Sequence, residues 1–130
     1  MPTKSISVIV ADDQALYLEG LASMIRKIKG LKLVGSASNG QELIDMYSKM
    51  LPDVVIIDVE MPEMDGATAL KEIRKIDAQV PILAFTAAVY DNMQADLLAK
   101  GFTDFIHKPF RPEDLHSKIS TQVQAKRHIA

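Results

Sequence analysis

The sequence predicts an α/β protein, a five-stranded parallel sheet doubly wound by five helices on both faces, and two observations carry that expectation. Five short apolar blocks rich in β-branched residues alternate along the chain with longer segments that repeat apolar residues at helical spacing. The connections are only a few residues long, so each helix must cross back over the sheet between parallel neighbours. For five such strands the order 2-1-3-4-5 is expected, an association with known folds rather than something the residues dictate.

The first strand is read over Ile6 to Val10, and the helix after it carries Leu18, Leu21, Ile25 and Ile28 on one stripe before Gly30 closes it. A second strand, Lys32 to Ser36, leads to Asn39, a helix-starting residue ahead of Gly40-Gln41-Glu42, and to the stripe Leu43, Ile44, Tyr47 and Leu51. Val54 to Ile57 and Ile82 to Phe85 show no polar alternation, as expected for central strands covered on both faces. Between them, Asp65 before Gly66 starts a helix with Leu70, Ile73 and Ile76 inward. Asp91 to Lys100 offers only Met93, Leu97 and Leu98 and ends at Gly101, which reads as a weakly amphipathic fourth helix. Phe105 to Ile106 is the fifth strand, and Pro112-Glu113-Asp114 opens a last helix with the stripe Leu115, Ile119, Val123. One domain over 1–130 is expected, with its core at about 6–124 and a short tail at 125–130.

Composition narrows the chemistry. There is no cysteine, so disulfides, thiolate nucleophiles and sulfur-based zinc sites are excluded. A net charge of -2 gives no basic field for nucleic acid, and the cluster Arg26, Lys27, Lys29, Lys32 reads as a solvated helix end. No apolar block approaches the roughly 18 residues needed to span a bilayer. The opening Met1-Pro2-Thr3-Lys4-Ser5 lacks a secretory cleavage pattern, so a cytoplasmic location is expected. His107, His116 and His128 lack metal-ligand spacing, and the scattered methionines read as packing residues.

In an open parallel sheet, ligands bind at the carboxyl ends of strands where the order reverses. Those ends carry Asp12-Asp13 on the first strand, Asp58 on the third, Thr86 on the fourth and Lys108 on the fifth. Each alone has an ordinary explanation: an aspartate forms turns or caps a helix, a threonine is structural, a lysine is solvated. Together they put three carboxylates in one crevice, at a repulsive cost of about 1 kcal/mol per pair in water and several times more away from it. A hard divalent cation (Mg²⁺, Mn²⁺ or Ca²⁺) removes that cost, and Mg²⁺ is favoured because it typically takes one or two carboxylates plus waters and phosphate oxygens. Lys108 and the Thr86 hydroxyl suit a tetrahedral anion, and a carboxylate beside them can attack phosphorus to form an acyl phosphate.

Four stretches resemble response-regulator receiver domains: Val10-Ala11-Asp12-Asp13, Ile57-Asp58-Val59-Glu60-Met61-Pro62-Glu63-Met64-Asp65-Gly66, Phe85-Thr86-Ala87, and Phe105-Ile106-His107-Lys108-Pro109-Phe110. The resemblance runs from Val8 to about Ile119 and implies a flavodoxin-like fold with Asp58 as phosphoacceptor. It implies that Asp13 and Asp58 ligate Mg²⁺ (with Mn²⁺ as a substitute), that Glu60 contributes a backbone carbonyl, and that Asp12 acts mainly through water on the ion. Thr86 and Lys108 would hold phosphoryl oxygens beside a small Ala87, with Lys108 oriented by a cis bond to Pro109. Thr86 and Phe105 correspond to the family's switch pair, acting on the face of helix four, strand five and helix five. The implied donor is a histidine kinase or histidine phosphotransfer domain, with small acyl phosphates as substitutes. The output partner is open, and a monomer or a phosphorylation-dependent dimer is expected, with no nucleic-acid binding by this domain and no membrane insertion.

Three other readings fail on the residues. A phosphohydrolase using an aspartyl phosphate needs a substrate-binding cap segment, and none is evident. A degenerate docking receiver expects the loss of at least one of Asp13, Asp58, Thr86 or Lys108. A flavin module needs a Ser/Thr/Gly-rich phosphate loop where Asp12 and Asp13 stand.

Overall fold

The computed structural model describes residues 5–58, 66–86, 91–107 and 111–129, the side chains of 66, 67, 94 and 126–129 excepted. Strands and helices alternate as β1 (Ile6–Ala11), α1 (Ala15–Lys27), β2 (Leu31–Ala37), α2 (Gly40–Met50), β3 (Val54–Asp58), α3 (Gly66–Ile76), β4 (Ile82–Thr86), α4 (Met93–Lys100), β5 (Asp104–His107) and α5 (Pro112–Ile129). All neighbours in the sheet are parallel and the order is β2-β1-β3-β4-β5, as expected.

Side chains alternate across the pleat, and the two resulting faces build two cores. Val8, Val10, Val54, Ile56, Leu83, Phe85 and Ile106 pack with Leu21 and Ile25 of α1 and with Leu115, Ile119 and Val123 of α5. Ile9, Ala11, Val55, Ile57, Ile82 and Ala84 pack with Leu43 and Tyr47 of α2, Leu70 and Ile73 of α3, and Met93 and Leu97 of α4. Each Val, Leu, Ile, Phe or Met among them, fully withdrawn from water, stabilises the fold by roughly 1.5–3 kcal/mol. Every residue of β3 and β4 is buried, which accounts for their unbroken apolar sequences.

The register between β1 and β2 skips one residue: Val8 pairs Leu33 while Ile9 pairs Gly35, leaving Val34 as a bulge. A Cβ at Gly35 would collide with the Met46 side chain of α2, so the missing side chain lets the helix lie close.

Several boundaries differ from expectation. The third and fourth strands each run one residue further, because the ladder continues through Asp58 opposite Phe85 and Thr86 opposite His107. The first helix ends at Lys27, leaving Ile28 as an extended C-cap, and Gly30 follows in the turn at φ 92°. Leu51 lies outside the stripe of α2: it is a left-handed C-cap at φ 43° and 63% exposed. Ile76 and Leu98 point outward, and the expected tail at 125–130 is helical through Ile129. Asn39 does cap α2, accepting from the Glu42 amide at 2.9 Å, while Glu42 accepts from the Ser38 amide at 2.8 Å. The hydrogen bonds from Ser38 hold the Glu42 carboxyl below its ordinary pKa. Asp65, expected before α3, lies outside the described residues.

One polar staple closes the end of the sheet opposite the carboxyl ends of its strands. The half-buried Arg74 of α3 donates to the carbonyls of Gly101 (3.0 Å from Nε, 2.7 Å from Nη2) and Val80 (2.6 Å). It also reaches the Thr103 hydroxyl at 3.3 Å, which in turn accepts from the Ile82 amide at 3.0 Å. Burial lowers the guanidinium pKa, opposed by the Asp77 carboxylate and by Tyr47. Burial, followed by Asp77, pushes the Tyr47 phenol up to about 12. Arg74→Met is expected to cost about 2–3 kcal/mol in urea unfolding at unchanged m, since it strands carbonyls bonded to a charged donor; a loss below about 0.5 kcal/mol would count against the staple.

Candidate functional site

The site follows from where the strands stop. Ala11 pairs Ile57, so continuing the register sets Asp12 beside Asp58, and Asp58 itself lies opposite Phe85, the residue before Thr86. The amide of Asp12 donates to Ala37 O at 3.1 Å, prolonging the β1–β2 ladder by one bond. Asp12 Oδ1 accepts from the Gln14 amide at 2.9 Å, which turns the carboxylate back over the start of α1. Gln14 is the N-cap and makes no side-chain capping bond, so neither Asp12 nor Asp13 occupies the N-cap position of this helix.

Asp12, Asp58 and Thr86 are buried at 0%, 4% and 2% exposure, whereas Asp13 is half-buried. One carboxylate oxygen from each of Asp12, Asp13 and Asp58 lies within 4.8 Å of the others. Three like charges in so small and dry a space repel strongly, and an all-oxygen donor set suits a hard divalent cation. A Mg²⁺ ion with bonds of about 2.1 Å spans at most about 4.2 Å between opposite ligands. The three carboxylates are thus close enough together that such an ion could be held among them.

The structure thus brings Asp12, Asp13, Asp58 and Thr86 to one sheet edge. Glu60, Ala87, Lys108 and Pro109 lie outside the described residues. Phe105 stands apart, half-buried on β5 and packed against the core on the α2, α3 and α4 side. It pairs Ala84, two residues before Thr86, so Phe105 and Thr86 share a sheet face across a small side chain.

A second polar group lies at the open edge of the sheet, where a concavity of about 610 Å³ runs between β5 and α5. Asp104 bridges it: Oδ1 accepts from the Phe105 amide at 2.8 Å and Oδ2 accepts from Lys118 Nζ at 3.0 Å and Gln122 Nε2 at 3.4 Å. The same Lys118 ammonium sits 5.3 Å from the centre of the Phe105 ring. Sequence reasoning singled out neither residue, because they are 14 positions apart and only the strand–helix packing unites them.

Comparison with known proteins agrees with this geometry. The family model for the response regulator receiver domain matches residues 8–120. The chemotaxis protein CheY of Bacillus subtilis is 39% identical over 113 residues, covering 87% of this chain and 93% of that protein. The protein-glutamate methylesterase/protein-glutamine glutaminase of Alkalilimnicola ehrlichii is 37% identical over 107 residues, 81% of this chain, which spans only 27% of that relative's length. The crystal structure of the CheX-CheY-BeF3-Mg+2 complex from Borrelia burgdorferi superposes with a TM-score of 0.81 at 25% identity, over 91% of this chain and 89% of that one.

Crowded carboxylates give opposite stability orders with and without a cation. In chelator, Asp13→Asn is expected to be about 1 kcal/mol more stable than the wild type, since a repulsive charge is gone. At a Mg²⁺ concentration 100 times Kd the wild type gains about 2.7 kcal/mol and the order reverses. Thermal unfolding in both buffers measures this; wild-type stability independent of divalent ions would exclude the site.

Proposed function

This chain belongs to the family of response regulator receiver domains, and on that premise we propose that it is the phosphoacceptor of a two-component relay, carrying its phosphate on Asp58. The observation that carries the proposal is the burial of the Asp58 carboxylate at the end of the central strand, crowded by Asp12 and Asp13 and flanked by Thr86. A carboxylate so held is largely desolvated and stands among the groups that would hold a cation and a phosphoryl group, which suits a nucleophile.

An Asp58 oxygen attacks the phosphorus of a phosphohistidine on a histidine kinase or phosphotransfer domain. The new O–P bond forms as the P–N bond breaks, and the departing imidazole takes up a proton. The Thr86 hydroxyl donates to one phosphoryl oxygen and Lys108 pairs with another. Asp13 and Asp58, with the Glu60 carbonyl and with Asp12 through water, would hold the cation. Mg²⁺ or Mn²⁺, when bound, neutralises the carboxylates and the incoming phosphoryl charge. Water attacking phosphorus in line cleaves the acyl phosphate and restores the carboxylate, so the chain resets itself and turns over no external substrate beyond its donor.

The B. burgdorferi CheY complex contains BeF3 and Mg²⁺, which supports the same ligand chemistry here. The reading treats 1–130 as one receiver unit working in the cytoplasm; no helix among the described residues is long and apolar enough to cross a membrane. Output passes from Thr86 to Phe105 and so to the α4, β5 and α5 face, where a partner docks.

Incubation with acetyl phosphate and Mg²⁺ followed by intact mass is expected to show one phosphate adduct, absent with chelator and absent in Asp58→Asn. An adduct that persists in Asp58→Asn would sink the assignment. Glu60→Ala is expected to change the decay rate of the adduct, and identical decay would remove Glu60 from the account.

A further inference from the structure

Phe105 has a second master besides Thr86. Its ring is packed on one side against the core and faces, on the other, an ammonium group that belongs to α5. That ammonium is paired: Lys118 Nζ is 3.0 Å from Asp104 Oδ2, the Lys118 side chain being 41% exposed and the Asp104 side chain 15%. Asp104 is itself held through Oδ1 by the Phe105 amide, and Gln122 reaches its other oxygen. Backbone, carboxylate, ammonium and ring therefore close a loop: Phe105 N–H to Asp104, Asp104 to Lys118, Lys118 to the Phe105 ring.

A cation over an aromatic face is attracted by the ring quadrupole only while the ring stays under it. Turning the ring away from Lys118, toward the Ala84 and Thr86 side of the same sheet face, would break that contact while the Asp104–Lys118 pair stays, because Asp104 is tethered by backbone. We propose that Lys118 is a latch on the Phe105 switch, a positioning residue that biases the ring toward its half-exposed setting. The proposal rests on the phosphoacceptor reading above for what drives the ring inward, but the latch itself rests on the contacts at β5 and α5. Its consequence is a threshold: phosphorylation must outweigh the Lys118–ring contact before the β5–α5 surface changes, and a partner that draws Lys118 away lowers the threshold.

The experiment is ¹⁹F NMR of the full chain labelled with 4-fluorophenylalanine, the Phe105 signal being assigned by its loss in Phe105→Tyr. Lys118→Met, which keeps the apolar stem and removes the charge, is expected to shift the unphosphorylated ring equilibrium inward about two- to five-fold, the range of one partly exposed cation–ring contact. Lys118→Arg restores the wild-type signal, and Asp104→Asn, which loosens the ammonium, gives a smaller shift in the same direction as Lys118→Met. An unchanged Phe105 signal in Lys118→Met, with an acetyl phosphate adduct forming normally, overturns the latch alone. Failure of the wild type to form that adduct overturns the phosphoacceptor reading, while a shifted signal in Lys118→Met still upholds the latch.

Discussion

Three carboxylates within 4.8 Å of one another at the mouth of an apolar sheet are the constraint around which the molecule is arranged. Nothing about a parallel sheet requires acids there; a serine or asparagine would finish β1 and β3 equally well. Keeping charge in that place costs stability unless a cation and an anion come and go, so the cluster makes ligand binding and folding share one free energy. The strands serve this end. β3 and β4 are buried throughout, which gives Asp58 and Thr86 rigid mountings.

The proposed route of output runs through the same rigid frame. Thr86 and Phe105 stand on one face of neighbouring strands, Phe105 opposite Ala84 and Thr86 two residues further along β4, which is the placement the proposed output route uses. The two ends of α4 differ in a way that suits motion. Its C-cap, Gly101, is gripped by Arg74, whereas its N-cap, Asn92, sits at φ 61° and makes no side-chain capping bond. The helix also buries few side chains, chiefly Met93 and Leu97. Under the proposed switch, such a weakly seated element anchored at one end is where a change at Thr86 would meet least resistance.

Much of this was legible in the residues. The alternation of strands and helices and the burial of β3 and β4 on both faces followed from short apolar blocks and amphipathic stripes, whereas the order that sets β1 beside β3, and hence the meeting of Asp12, Asp13 and Asp58, came from association with known folds. Helix ends were read less well. Leu51 and Ile76 continue their apolar stripes in sequence yet point to solvent, since a stripe does not say where backbone hydrogen bonding stops. The Val34 bulge was invisible, because nothing in the apolar pattern of β2 marks where its register against β1 slips by one residue. Arg74 and the Asp104–Lys118 pair were invisible for another reason: each is an ordinary surface-type residue whose partners are brought by tertiary packing across 14 to 29 positions.

The central claim is that the carboxylates of β1 and β3 jointly hold a divalent ion. The anomalous scattering of Mn²⁺ in crystals of this chain tests it most directly. The account requires a single strong peak in contact with Asp13 and Asp58, lost when Asp13 becomes alanine. A peak elsewhere, or none beside Asp58 at saturating Mn²⁺, would contradict it.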